Sequence, residues 1–434
     1  MLAWSLVMLA WVAVRAGAQP PAAELPPFQP LPLQDAEAVP RPLPKPDPPL
    51  TLAELEQLAI GGNPTVAQAE ARVAAARGRW VQVGLPPNPT FGYAGNEIGD
   101  EGRAGQQGFI AGQEFVTANK LELRRQVVAR EIEQAEQVVI AQRLRVQADV
   151  RQRFYETLIA QQRVETAQSL YETATNSATT IEKLLQAEQS TRIDLLQAQV
   201  EAEAVRVRVQ NAQNSHQAAW RRLLAVVGVD LPPRPLEGDV TSELPLVVWE
   251  QSLARIQSDS PEVASALVRI QRARWALQQA CAEARPNFEV QFGVQYDDAT
   301  QDPISMLQIA MPLPIFNRNQ GGIREAQAEI AEANRNAERL HRELQQRLAT
   351  VFERYQNARQ QTQTYQNEIL PRAKETLGLV TTGYQAGEVQ YLTMLTAQRT
   401  YFETNLAYLT ALEQLWSAHV EIESLLLTGS LTSQ

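Results

Sequence analysis

The sequence predicts a mainly α-helical chain that contains a small β part and is duplicated internally. Ala, Gln, Glu, Arg and Leu fill long stretches, a composition that favours extended helices. Short segments that alternate apolar with polar residues lie between these stretches, which is typical of strands. The same order of segments returns at an offset of about 197 to 199 residues, so two related halves are predicted.

The duplication is visible in matched residues. Asn63-Pro64 matches Ser260-Pro261, and each pair is followed by an Ala-rich amphipathic helix. Pro89-Thr90-Phe91 matches Pro286-Asn287-Phe288, at the start of the strand-like segments. Because such pairs stay nearly in step along each half, unrelated helices with a shared composition are a poor explanation.

The chain begins with an apolar run, Leu2–Val14, followed by the small residues Ala16-Gly17-Ala18, a pattern typical of a cleaved export signal. No Lys or Arg precedes the run, so a start further upstream stays open. The predicted parts, in order, are a signal peptide at 1–18, a proline-rich linker at 19–50, a first repeat at 51–228, a connecting segment at 229–246, a second repeat at 247–429 and a C-terminal tail at 430–434.

Each repeat is predicted to open with one helix and to end with a very long helical stretch that is interrupted once. The opening helices are predicted at about 51–82 and 247–283. The long stretches are predicted at about 121–187 and 193–227, and at about 323–385 and 389–427. A helix of about 65 residues is about 100 Å long, which exceeds a compact domain. The two interruptions are short enough to be the turns of helical hairpins.

The strand pairs are predicted at about 89–98 and 107–116, and at about 287–296 and 304–312. In the third strand the apolar face is Phe288, Val290, Phe292, Val294 and Tyr296. In the fourth, Leu307, Ile309 and Met311 are placed opposite Ser305 and Gln308. Each segment has about nine to eleven residues, the length at which a tilted strand crosses a bilayer, with one face towards lipid.

Four strands are too few to close a barrel, since even small barrels need about eight. An open edge in lipid leaves backbone groups unpaired, at a cost of several kcal/mol each. The chain is therefore predicted to oligomerise. Two copies would supply eight strands, and three would supply twelve with room for a pore.

Several function classes are disfavoured by composition. The formal net charge of -10 argues against nucleic acid as a partner. Cys281 is the single cysteine, and the three histidines, His216, His341 and His419, are far apart, so no metal site is evident. No nucleophile elbow, P-loop or dinucleotide fingerprint occurs in a suitable context. We therefore expect no enzyme activity and no cofactor.

Two motifs carry a family resemblance. Gly84-Leu85-Pro86-Pro87-Asn88-Pro89 leads into the first strand, and Met311-Pro312-Leu313-Pro314-Ile315-Phe316-Asn317-Arg318-Asn319-Gln320-Gly321 leads out of the fourth. With the repeated order of helix, strand pair and broken long helix, they resemble the TolC family of outer-membrane efflux proteins, and its heavy-metal (cation) efflux branch in particular. The prolines at the strand ends remove ladder donors, so these motifs are interpreted as architectural junctions.

The resemblance implies a homotrimer with a twelve-stranded β-barrel in the outer membrane of a Gram-negative-type cell and a helical α-barrel in the periplasm. It also implies docking to a periplasmic adaptor protein and an inner-membrane efflux pump. The function it implies is a passive exit duct for metal cations or small toxic compounds. Type I protein secretion stays an alternative, as does a different class, a soluble periplasmic coiled-coil adaptor or structural protein.

The hairpin tips are the candidate working parts. In the family the second tip narrows the tunnel with acidic residues, and two such positions fall here on Thr393 and Thr396. The equivalent place in the first repeat is Asp194, beside Arg192. One hypothesis is that Asp194 biases opening by repulsion or by pairing with Arg192. The other is that it is simply a helix N-terminal acid favoured by the dipole.

The tips are also predicted to contact the adaptor. The candidate contact residues are Gln189, Ser190, Thr191, Gly387 and Glu388. The cargo, the identity of pump and adaptor, and the state of the gate are left open by the sequence.

Overall fold

The computed structural model describes residues 48–102, 104–242 and 244–432. The predicted signal peptide at 1–18 and all but the last three residues of the predicted linker at 19–50 lie outside the described residues. So do the last two residues of the predicted tail at 430–434. The sequence-based division into parts stays a prediction.

The described ranges contain long helices and a single sheet. The helices are α1 (Leu52–Gly62), α2 (Pro64–Val83), α3 (Lys120–Gln186), α4 (Arg192–Val227), α5 (Trp249–Asp259), α6 (Pro261–Glu283), α7 (Gln320–Thr364), α8 (Leu370–Gln385) and α9 (Tyr391–Glu423). The strands are β1 (Thr90–Asn96), β2 (Gln106–Phe115), β3 (Phe288–Asp297) and β4 (Asp302–Ala310). A mainly helical chain with four strands in two matched pairs confirms the predicted fold class.

The opening helix of each repeat is divided in two, so the single helices predicted at 51–82 and 247–283 are wrong. Asn63 ends α1 with extended backbone, and its Oδ1 accepts from the Thr65 N–H over 3.0 Å to cap α2. Pro64 then takes the first helical position, where its missing N–H costs nothing. Ser260 and Pro261 repeat this arrangement between α5 and α6. The cap-plus-proline pattern was visible in the sequence.

The longest helix, α3, has 67 residues and is therefore about 100 Å long. Its counterpart in the second repeat is interrupted by one π-helical turn, Tyr365–Ile369, which the sequence did not predict. The turn precedes Pro371, which cannot donate a helical hydrogen bond, and a local change of helix type absorbs that loss. Among the helices in the described ranges, none is both long enough and apolar enough to cross a membrane.

The main hydrophobic cores lie between the long helices, midway between sheet and tips. The first is centred on α3, α4 and α9 around Phe154, Leu223 and Leu412. The second is centred on α7 and α9 around Leu348 and Tyr355. Fully buried side chains of this size stabilise the fold by about 1.5–3 kcal/mol each.

The segment predicted as a connection, 229–246, packs onto the first core. Leu236 is buried and forms a parallel bridge with Leu50. Val240 is fully buried, and its carbonyl oxygen accepts from the Trp416 indole N–H over 3.0 Å. This segment therefore binds α9 to the rest of the helical body.

The strands form one antiparallel sheet in the order β1-β2-β3-β4, so β2 and β3 join the two repeats. Pairing places Phe109 opposite Val294 and Phe292 opposite Leu307, on one apolar and exposed face. Along this face Phe91 stacks on Phe109 with ring centroids 5.6 Å apart. The other face carries the predicted glycine and polar side chains of β3, and beside them Ile110, Ile304 and Met306, which the sequence did not place there.

The side of one residue was predicted wrongly. Ser305 pairs with Val294 and Leu307 pairs with Phe292, so Ser305 lies on the apolar face beside Leu307 and not opposite it. The reason is the period of two along a strand, which places residues 305 and 307 on the same face. Gln308 does lie on the opposite face.

A polar cluster holds the sheet on the helices where β2 and β3 meet α3. Asn287 Oδ1 accepts from Lys120 Nζ over 2.7 Å, and Asn287 Nδ2 donates to Glu114 Oε1 over 2.7 Å. The Thr117 hydroxyl donates to the Pro286 carbonyl oxygen over 2.7 Å. Because Lys120 is only 3% exposed, this cluster fixes the angle at which the strands leave the helical body.

Candidate functional site: the two hairpin tips

The first tip is the turn between α3 and α4. Glu188 adopts a left-handed conformation with φ of 59°, which lets the chain reverse. The Gln189 N–H donates to the Leu184 carbonyl oxygen over 2.8 Å, so the end of α3 keeps its backbone groups satisfied. The tip is thus a tightly bonded turn.

Asp194 closes a capping box at the start of α4. Its Oδ2 accepts from the Thr191 hydroxyl over 2.7 Å and from the Thr191 N–H over 3.2 Å, and its own N–H donates to the Thr191 Oγ1 over 3.2 Å. The Ser190 hydroxyl adds a longer contact of 3.4 Å. The half-buried carboxylate is therefore engaged in ordering the tip.

Arg192 is exposed two residues before Asp194, and no ion pair in the described part of the chain joins the two side chains. Within one copy, Asp194 thus interacts with the uncharged groups of Ser190 and Thr191 at the start of α4. The proposed effect of Asp194 on opening therefore depends on other copies of the chain.

The second tip is the turn between α8 and α9. Gly387 has φ of 77°, and the Glu388 N–H donates to the Gly383 carbonyl oxygen over 2.9 Å. A side chain at Gly387 would be strained by this backbone conformation. The two tips therefore share one design, in which a left-handed residue is followed by the first turn of the next helix.

Thr393 and Thr396 lie on α9 one turn inside the second tip, and both are exposed. They line an open groove of about 450 Å³ between α8 and α9. The other lining residues are Ala373, Thr376, Val380, Leu392, Ala397 and Thr400. The groove carries hydroxyl and methyl groups and no charged side chain, so this surface offers no carboxylate to a passing cation.

A small core joins the two hairpins behind their tips. Its buried members are Ile181, Ala198, Tyr391, Met394 and Leu395. Burial, with the charge of Glu201 as the next cause, raises the pKa of Tyr391 to about 12. Burial also raises the pKa of Tyr384, and its hydrogen bonding with Ser190 of the first tip partly offsets that rise.

An ion pair that the sequence analysis missed lies next to this core. Arg399 on α9 donates to Glu201 Oε2 on α4 through Nε, over 3.0 Å, and through Nη2. The Glu201 side chain is 7% exposed and that of Arg399 is 49% exposed. The pair raises the pKa of Arg399, with the Glu201 hydrogen bond as the main cause. No local pattern in the sequence indicates this pair, because its partners are 198 residues apart.

The predicted adaptor-contact residues lie together at the two turns. Gln189, Thr191, Gly387 and Glu388 are exposed, and Ser190 is half-buried. Their backbone is held by the turns, and the Ser190 and Thr191 hydroxyls are bonded to Asp194, whereas the Gln189 and Glu388 side chains lie towards solvent. This arrangement gives each hairpin a rigid, polar end surface.

The described residues contain no group of three or more His, Cys, Asp or Glu side chains arranged to hold a metal ion. His216 and His419 are separate, and burial lowers the pKa of each. Cys281 is exposed. The described residues of the tips and of the core that joins them therefore form a contact surface without a metal-binding group.

Comparison with known proteins gives one family model. Residues 55–229 and 253–426 both match the model described as outer membrane efflux protein. The match covers both repeats, in agreement with the internal duplication.

Three similar proteins align with this chain over most of the length of both partners. Cobalt-zinc-cadmium resistance protein CzcC of Cupriavidus metallidurans is 27% identical over 380 residues, which is 87% of this chain and 90% of CzcC. The crystal structure of CusC superposes with a TM-score of 0.72 at 20% identity, over 87% of this chain and 92% of CusC. The outer membrane protein VceC of Vibrio cholerae superposes with a TM-score of 0.70 at 18% identity, over 87% and 96%.

Proposed function

This chain belongs to the outer membrane efflux protein family, and on that premise we propose that three copies form one exit duct whose cargo is divalent metal cations. The protein is an outer-membrane efflux channel of Gram-negative bacteria and not an enzyme.

The sheet supports assembly from several copies. In the described part of the chain, the outer edges of β1 and β4 pair with no other strand, while one face is apolar and exposed. Four strands cannot close, and open edges in lipid are costly. Three copies supply twelve strands, which close around a pore, whereas eight would leave an interior filled by side chains. The long helices would continue this pore as an α-barrel through the periplasm.

The tips support docking to a periplasmic adaptor and, through it, to an inner-membrane pump. The end surface formed by Gln189, Ser190, Thr191, Gly387 and Glu388 lies about 100 Å of helix away from the sheet. A passive duct has no energy source of its own, so a pump must drive the cargo. The rigid polar turns are suited to a partner that binds side chains at the helix ends.

The proposed cargo is supported mainly by the similarity to CzcC. The name of that protein records resistance to cobalt, zinc and cadmium. The described residues offer no metal cluster, so cations would pass without being held. Selection of the ion would then reside in the pump. Thr393 and Thr396 fit this picture, because uncharged groups bind a divalent cation weakly.

At the gate, we propose that the Glu201–Arg399 pair and the Tyr384–Ser190 contact keep the hairpins of one copy together. Asp194 would influence opening through repulsion between copies. Single-channel recording of Asp194→Ala beside the parent decides this point. Equal conductance and equal cation preference remove Asp194 from the gate.

Metal accumulation tests the cargo proposal. Deleting the gene in its own host should raise cellular zinc, cobalt or cadmium and lower tolerance to these ions, and the wild-type gene should restore both. Tolerance to organic toxicants, measured in parallel, is the control. Unchanged metal content with lost tolerance to an organic compound, or with loss of a secreted protein, would overturn metal cargo.

A further inference from the structure

The segment that leaves β4 is apolar and exposed although it is not a strand in a single copy. After Ala310 the alternating row of Leu307 and Ile309 continues through Met311 and Leu313, and the exposed fraction of Leu313 is 70%. In the first repeat the corresponding junction turns into α3 only four residues after Phe115. Because Asn119 and Asn319 hold the same place before their helices, residues 311–315 correspond to the end of β2 but lie outside the sheet of a single copy.

The hydrogen-bonding phase of the sheet follows from one bond at its end. The Asp298 N–H donates to the Gly105 carbonyl oxygen over 3.2 Å, in line with the β2–β3 register. In an antiparallel strand, the residues that bond to one neighbour alternate with those that bond to the other. Odd-numbered residues of β2 therefore bond to β3, and even-numbered residues of β4 bond to β3. Pro303 agrees with this phase. It is odd-numbered and lies opposite Tyr296 in a pair that exchanges no hydrogen bonds, so its missing N–H costs no bond to β3.

The same phase identifies the backbone groups that point out from the two open edges. Even-numbered residues of β1 bond to β2, so Phe91, Tyr93 and Gly95 direct their N–H and C=O groups outwards. In β4, the odd-numbered Leu307 and Ile309 do so. These outward groups are the ones that a further strand would bond.

The prolines that follow β4 lie at positions whose backbone nitrogen points towards β3. The N–H groups at the outer edge are therefore kept. Pro312 and Pro314 are even-numbered and would point towards β3, which begins at Phe288 and offers no partner beyond Met311. Met311 and Leu313 are odd-numbered and keep outward N–H donors. The segment has therefore lost hydrogen-bonding capacity on its inner side alone. Pairing ends at Leu313, because its carbonyl oxygen accepts from the Ile315 N–H over 2.9 Å in a tight turn.

The internal duplication supplies a register for the outer edge. Asn119 and Asn319 both cap a long helix with φ near 55° (55° and 54°), so β2 and the exit of β4 correspond at about 200 residues. β3 and β1 correspond through Pro286 and Pro89, at about 197 residues. The observed β2–β3 pair of Gln113 with Val290 then translates into Leu313 opposite Tyr93.

We propose that residues 310–313 extend β4 as an interface strand on β1 of a second copy, with Leu313 opposite Tyr93 and Met311 opposite Gly95. This rests on the proposed assembly of several copies and adds its register. Three independent properties agree in this register. Tyr93, Gly95, Met311 and Leu313 all lie in the outward hydrogen-bonding phase. The side chains of Tyr93, Met311 and Leu313 share the apolar face, and Pro312 and Pro314 fall where no ladder bond is needed.

Cysteine cross-linking tests the register. In a Cys281→Ser background, which removes the native thiol, Tyr93→Cys combined with Leu313→Cys should give oligomers linked by a short thiol cross-linker, since paired Cα atoms are about 5.5 Å apart. Tyr93→Cys combined with Ile309→Cys is the matched control and should link at least tenfold less. Each single variant checks for accidental linkage.

The assembly itself is measured separately by native mass in detergent. Oligomers in which the control pair links better than the Leu313 pair overturn the register and leave the proposed assembly intact. A chain that remains single contradicts the proposed assembly. Labelling of Leu313 by a photoreactive lipid with no linkage to Tyr93 assigns the segment to lipid and also overturns the inference.

A proline scan tests the phase without cysteines. Leu313→Pro removes an outward N–H and should abolish oligomers that resist mild denaturant, whereas Leu313→Ala removes only side-chain contact and should retain most of them. Pro314→Ala should have little effect. Equal loss in Leu313→Pro and Leu313→Ala means that the backbone of this segment makes no intermolecular ladder.

Discussion

Arg399 of α9 and Glu201 of α4 form an ion pair in which two guanidinium nitrogens contact one carboxylate oxygen. The carboxylate side chain is nearly buried, at 7% exposure, and the guanidinium side chain is half exposed. The contact joins the hairpins of the two repeats close to their tips. A buried carboxylate without its partner is costly, so the pair resists separation of the hairpins.

Removal of one partner measures this link. We expect Arg399→Ala to lower the free energy of unfolding by about 1–3 kcal/mol, below the range for fully buried pairs because Arg399 is half exposed. Arg399→Lys should cost less, since it keeps the charge. Thermal unfolding in detergent gives the values. If Glu201→Gln combined with Arg399→Ala equals the sum of the single changes, the two residues are not coupled.

The capping box of the first tip is a second test. Thr191→Ala should destabilise the tip by about 1 kcal/mol, because the N-terminal N–H groups of α4 lose their acceptor. Hydrogen exchange of residues 187–195 is the local measurement, and it should accelerate about fivefold for that energy. Thr191→Ser, which keeps the hydroxyl, should restore the parent rate. Unchanged exchange in Thr191→Ala contradicts a capping role.

Asn63 provides a buried counterpart. Its side chain is 3% exposed, caps α2 and donates to the Val226 carbonyl oxygen over 2.8 Å. Asn63→Ala should cost about 2–3 kcal/mol, the sum of a lost cap and a buried carbonyl without a donor. Asn63→Ser keeps the cap alone and should recover about 1 kcal/mol of that loss. Equal unfolding temperatures for the two variants would mean that the cap contributes nothing, and an Asn63→Ser variant as stable as the parent would mean that the contact with Val226 contributes nothing.

Stability should depend on pH through His419. Burial lowers its pKa below 6.5, Arg151 acts in the same direction and Glu423 opposes them. The unfolded chain therefore binds the proton first as pH falls, and stability decreases below about pH 6.5. His419→Phe preserves the ring that packs on Trp416 and should flatten this loss between about pH 7 and pH 5. Unfolding temperatures that fall equally in parent and variant rule His419 out.

The strands were predictable because their two-residue alternation is local. The spacing of Phe288, Phe292 and Tyr296 identifies the apolar face of β3 without reference to its partner strands. The divided opening helices were also readable, since Asn63 and Ser260 are capping residues directly before proline. The error there came from giving the amphipathic pattern more weight than the proline, although a proline at the first helical turn marks a helix start.

Other features depend on contacts that no local pattern contains. The Glu201–Arg399 pair requires the relative height of two hairpins, which only the packed helices define. The π-helical turn before Pro371 accommodates the backbone N–H that proline lacks. A kink or a break of the helix would have accommodated it too, so the sequence does not decide among the three. Whether Asp194 acts as a gate depends on neighbouring copies, so neither the sequence nor one folded chain determines it.

The proposed trimeric duct is tested most directly by native mass and conductance on one sample. The protein, extracted from outer membranes and purified in detergent, is weighed intact and then inserted into a planar bilayer. We expect a particle of three chains that conducts ions. A single chain that stays stable in water without detergent, and that leaves the bilayer non-conducting, contradicts it.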